Sequence, residues 1–129
     1  GPKVMLIDQD AQSGGDFLAY AFKQRAIGPL IGTRTWGGLI AVSINPTLID
    51  GGMATVPYLR FFDASGNWAV EGHGVAPDIH VDLDPAATNE GRDTQLEAAI
   101  AEIKRMLSAN PPARTTTPAA PPYPTVLGQ

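Results

Sequence analysis

The stretch VMLIDQDAQSGGDFLAYAFKQRAIGPLI, residues 4–31, decides the fold class. Val4, Met5, Leu6 and Ile7 form a short, continuously apolar run, the pattern of a strand covered on both faces. Residues 16–25 lack glycine, and Phe17, Leu18, Tyr20, Ala21 and Phe22 fall at roughly helical spacing. Ala26-Ile27-Gly28-Pro29 stops that helix, and Leu30-Ile31 reads as a second buried strand. Strand, helix and strand within about thirty residues make a βαβ unit, whose parallel crossover is expected to be right-handed. The class is α/β.

Outward from this unit the β signals multiply. Residues 39–44 and 53–58 read as strands joined by the turn-rich residues 45–52. Residues 59–62 and 68–70 flank Asp63-Ala64-Ser65-Gly66-Asn67, a hairpin-loop composition, and residues 77–81 offer one more short strand. Thr94-x-x-Glu97 resembles a capping box. Behind it Leu96, Ala99, Ile100, Ile103, Met106 and Leu107 mark one face of an amphipathic C-terminal helix. Six of the 12 prolines follow Asn110, so residues 110–129 are expected to form an extended Pro-rich arm on a domain spanning residues 1–109. Tyr123, Val126 and Leu127 would let that arm dock on a neighbouring surface.

The whole-chain numbers bound the partners. At 43% hydrophobic and 17% charged, 129 residues can bury a core. A net charge of -4 argues against nucleic acid or an anionic membrane as a partner. No apolar run approaches the ~18–20 residues of a membrane span, and none reads as a signal peptide. Without cysteine, disulfides, thiolate zinc sites and cysteine catalysis are excluded. No metal or other cofactor is expected, and the compartment stays open between cytoplasm and periplasm.

Three segments carry candidate chemistry. Ser13-Gly14-Gly15-Asp16 lies between the first strand and the first helix, where open α/β sheets place ligands. Ser13 and Asp16 are explained as a helix cap. The two glycines are not, since each costs about 1 kcal/mol against alanine within a helix. A backbone that must approach a ligand with bare N–H groups would explain them, and a serine there could attack a carbonyl beside the helix dipole. Gly32-Thr33-Arg34-Thr35-Trp36-Gly37-Gly38 reads either as a glycine turn with Trp36 on the core or as a cleft wall admitting an extended peptide. In Glu71-Gly72-His73-Gly74, a glutamate ends a strand and one of only two histidines sits between glycines. A serine nucleophile needs a base within hydrogen-bond reach. Either His73 supplies it or the base lies outside this chain.

SGGD, then GPLIGTRTWGG, then VEGHGVAPDI, in that order, resemble the catalytic core of the tricorn and C-terminal-processing serine peptidases across residues 2–107. The resemblance implies a crotonase/ClpP-like βαβ core with additional strands. It implies Ser13 as nucleophile, the Gly14 amide as half of the oxyanion hole and Glu71 as the end of the charge relay; it assigns no substrate-binding residues. The processing branch places a lysine base where this chain has Gly38, so the likeness points to the tricorn branch. There the histidine base, the second oxyanion amide and a PDZ-type domain lie upstream of the nucleophile. The chain is therefore expected to be the C-terminal part of a larger peptidase, inactive alone, prone to self-association and partnered by the upstream half and a peptide substrate. The alternative is a non-catalytic ligand- or peptide-binding module on the same scaffold.

Overall fold

The computed structural model describes residues 1–42, 45–113 and 115–120. Its element order is β1 (Met5–Ile7), α1 (Gly14–Gln24), β2 (Leu30–Gly32), β3 (Ile79–His80), α2 (Pro85–Asn89) and α3 (Thr94–Ala109). The strands form one parallel sheet in the order β1-β2-β3, with Met5 opposite Leu30 and Ile31 opposite Ile79. The βαβ unit read from residues 4–31 is present, and the α/β class holds.

Sheet position explains how burial differs from expectation. β2 is central, and Leu30, Ile31 and Gly32 are all buried. β1 is an outer strand, so it is not covered on both faces: Ile7 is buried but Leu6 keeps 40% of its surface exposed. Leu30, Ile7, Ala19, Val70 and Val75 form the core cluster, flanked by Met5, Tyr20, Phe22, Leu39 and Phe61. Strand alternation turns Ile31 to the opposite face. α1 packs against β1, and α3 against β1 and β2.

The middle of the chain corrects four expected strands. Residues 39–42 and 53–62 form no regular strand, and neither do residues 68–70; Ser43 and Ile44 lie outside the described residues. Two isolated antiparallel bridges join described residues here, Thr47 with Met53 and Phe62 with Trp68, and Val56 is also a bridge residue. The Phe62–Trp68 bridge closes the expected hairpin loop, where the Asp63 carboxylate accepts from Ser65 N and Asn67 N. β-propensity needs a surface to pack on. Val42, Ile49, Met53, Tyr58 and Leu59 find none among the described residues and are exposed.

α3 begins one residue earlier than the Thr94-x-x-Glu97 box implies. Asp93 is its N-cap and accepts from Leu96 N, while Glu97 pairs with Arg92. Leu96 and Ile100 of its expected buried face are exposed. No helix among the described residues is long and apolar enough to cross a membrane.

Candidate active site

Ser13 occupies a tight turn. Its backbone adopts φ 47 and ψ -99, and Gly15 N donates to Gln12 O at 2.7 Å. Those values describe a type II′ turn with Ser13 at the position that normally requires glycine. The turn projects Ser13 at the N-terminus of α1, exposed. It does not cap the helix as expected: its side chain makes no cap hydrogen bond. Among the described residues the Gly14 N–H meets no acceptor, and a Cβ on Gly14 would meet no atom within 4 Å. A Cβ on Gly15 would lie 3.3 Å from Ala11 Cβ. Packing thus accounts for Gly15, whereas Gly14 leaves room and a free donor beside the serine, at the positive end of α1.

Asp16 is not part of a cap either. It is fully buried and accepts from Gly37 N at 2.8 Å and Gly38 N at 3.3 Å. Its carboxylate links the first turn of α1 to the segment after β2. That segment is held from the other side by Glu71, whose Oε2 accepts from Leu39 N at 2.7 Å and Ile40 N at 2.9 Å. Oε1 of Glu71 makes no hydrogen bond among the described residues. Gly37 has φ 91, and a Cβ there would crowd Gly74 N at 2.5 Å, so the two loops meet backbone to backbone. Thr35 seals the junction, exchanging bonds with Val75 through its backbone N and its Oγ1.

These contacts open a cleft of about 350 Å³ lined by Ser13, Trp36, Gly38, Ile40, Val42, Thr55, Pro57 and Glu71. Ser13 and Glu71, distant in sequence, share it. Trp36 is 56% exposed and forms its wall, so the reading that packs Trp36 on the core is wrong. The N–H groups of residues 37–40 are taken by Asp16 and Glu71, so an extended peptide laid along this wall would have only its carbonyl oxygens to bond to. Sequence reasoning missed Asp16 as a wall tether because Ser-x-x-Asp before a helix suggests a cap. It missed Ile40, Val42, Thr55 and Pro57 because nothing in their spacing marks a cleft.

His73 does not reach this cleft. Its Nδ1 and Nε2 each lie 3.0 Å from a carbonyl oxygen of its own loop, those of Glu71 and Ala69. Both ring nitrogens face these carbonyls, and a neutral imidazole donates to one of the two. Lys23 pairs with Asp78 at 2.8 Å and Lys3 donates to Gly1 O, so neither lysine serves the cleft. No group of three or more acidic or histidine side chains among the described residues is arranged to hold a metal. A hollow of about 400 Å³ between Gly1, Pro2 and the end of α3 has no nucleophilic or basic side chain in its lining.

A sequence model of peptidase family S41 matches residues 1–81. Tricorn protease homolog 1 of Streptomyces coelicolor is 40% identical over 111 residues, 86% of this chain and 10% of that protein. The tricorn protease of Thermoplasma volcanium is 40% identical over 100 residues, 78% of this chain and 10% of that one. A crystal structure of the tricorn protease superposes with a TM-score of 0.76 at 34% identity, covering 84% of this chain and 11% of that chain. The chain spans about a tenth of the length of these relatives.

Proposed function

The chain belongs to peptidase family S41, and from that premise we propose that it carries the nucleophile side of a serine peptidase site acting on peptides. Ser13 Oγ attacks the scissile carbonyl and passes its proton to a base; the carbonyl oxygen becomes an oxyanion that the Gly14 N–H receives. Collapse of that intermediate expels the amine, which takes the proton back, and leaves an acyl group on Ser13 that water then removes. Glu71 keeps Oε1 for orienting the base while Oε2 holds the cleft wall. Since both nitrogens of His73 are turned to its own loop, the base comes from outside residues 1–129. The scaffold on this reading is a crotonase/ClpP-like core over residues 1–109, with residues 110–129 as an appended arm.

The observation that carries the proposal is Ser13 on a strained turn at a helix N-terminus, with a free Gly14 N–H, in one cleft with Glu71. Fluorogenic-peptide turnover by the full-length protein tests it. Ser13→Ala should lower kcat by about 10³-fold or more while peptide binding persists. Glu71→Gln should lower kcat more than it raises KM. Peptide binding without turnover in the unmodified protein would replace this reading with that of a binding module.

A further inference from the structure

Asp16 and Glu71 divide four consecutive backbone amides between them: Gly37 and Gly38 go to Asp16, Leu39 and Ile40 to Glu71. Residues 37–40 belong to no strand among the described residues, so these two side chains hold the wall where a sheet would otherwise do so. The two tethers differ in what they connect. Glu71 joins the wall to the loop after Val70. Asp16 joins it to the helix turn that presents Ser13, three residues earlier. A first-turn aspartate ordinarily serves its own helix dipole from the surface; this one is fully buried and aimed at another segment.

We propose that Asp16 is a positioning residue for the reaction. It fixes the separation between the Ser13 turn and the wall made by Trp36, Gly38 and Ile40, so that an acyl group lying on the wall meets Ser13 Oγ. This role rests on the peptidase reading above. Small misplacements of a nucleophile relative to a bound group are enough to cost about 10²-fold in rate.

The test combines active-site labelling with amide exchange in the full-length protein. Asp16→Ala leaves one buried and one part-buried amide without acceptors and risks unfolding, so Asp16→Asn is the informative variant. It keeps one acceptor oxygen for Gly37 N–H and replaces the other by an NH2 that cannot accept from Gly38 N–H. Labelling of Ser13 by a peptidyl phosphonate should slow about ten-fold or more at saturation, with the half-saturating concentration little changed. Exchange of the Gly38 amide should quicken while that of Leu39, held by Glu71, stays slow. A merely structural role would lower the fraction of protein labelled and leave the saturating rate of the remainder intact. An unchanged saturating rate in Asp16→Asn overturns the proposal alone. Absence of labelling in the unmodified protein overturns the peptidase reading and the role with it.

Discussion

Ser13 holds a backbone conformation that glycine adopts freely and other residues adopt at a cost of about 1–3 kcal/mol. Its hydroxyl caps nothing, so the strain is not offset locally. Ser13→Gly should therefore stabilise the fold by roughly 1 kcal/mol in urea unfolding. Ser13→Ala should stay within about 0.5 kcal/mol of the parent. A loss near 1 kcal/mol in Ser13→Ala would show that the hydroxyl caps α1 after all. The position of Ser13 before α1 was legible from SGGD, because a serine and two glycines at a helix start are unusual company. Its turn geometry was not, since Ser-x-x-Asp specifies a cap equally well until the aspartate is seen buried against Gly37 and Gly38.

At the scale of elements, carboxylates tie segments together. Asp16→Ala should cost roughly 3 kcal/mol or more in stability, because it strands two amides at the junction of α1 and the cleft wall. Asp78 does similar work for β3: it accepts from Leu30 N at 2.9 Å and pairs with Lys23 of α1. The Leu30 N–H first, and Lys23 second, hold its carboxyl below the ordinary value of 3.8. The unfolded chain thus takes up this proton more readily than the folded one. The stabilisation is fully present above pH 3.8 and is lost as pH falls through the depressed folded value. Asp63 and Glu102, also lowered, act with the same sign. Asp78→Asn should make stability less steep in pH below that point, as followed by circular dichroism, and salt should weaken the Lys23 share. Equal slopes for parent and variant would remove Asp78 from the acid response.

β1, α1 and β2 were readable from residues 4–31 because a continuous apolar run, a glycine-free periodic stretch and a Gly-Pro stop each have one simple interpretation. Among the described residues the strands expected between residues 39 and 70 are reduced to isolated bridges, because β-propensity reports a preference for a packed surface without supplying one. Exposed Val42, Tyr58 and Leu59 mark where that surface is missing among the described residues.

For the molecule as a whole, the open edge of β1 with exposed Leu6, together with these side chains, predicts self-association of the 129-residue polypeptide. Light scattering should show species larger than a monomer at high concentration, and a clean monomer would contradict this. The same polypeptide alone should turn over fluorogenic peptides negligibly, since His73 is turned away from Ser13. Turnover abolished by His73→Ala would return the base to this chain. The most direct measurement is mass spectrometry of the full-length protein after reaction with a serine-directed phosphonate. The adduct should lie on the peptide containing Ser13 and vanish in Ser13→Ala. An adduct on another peptide, or none in a preparation that cleaves substrate, would remove Ser13 from the chemistry.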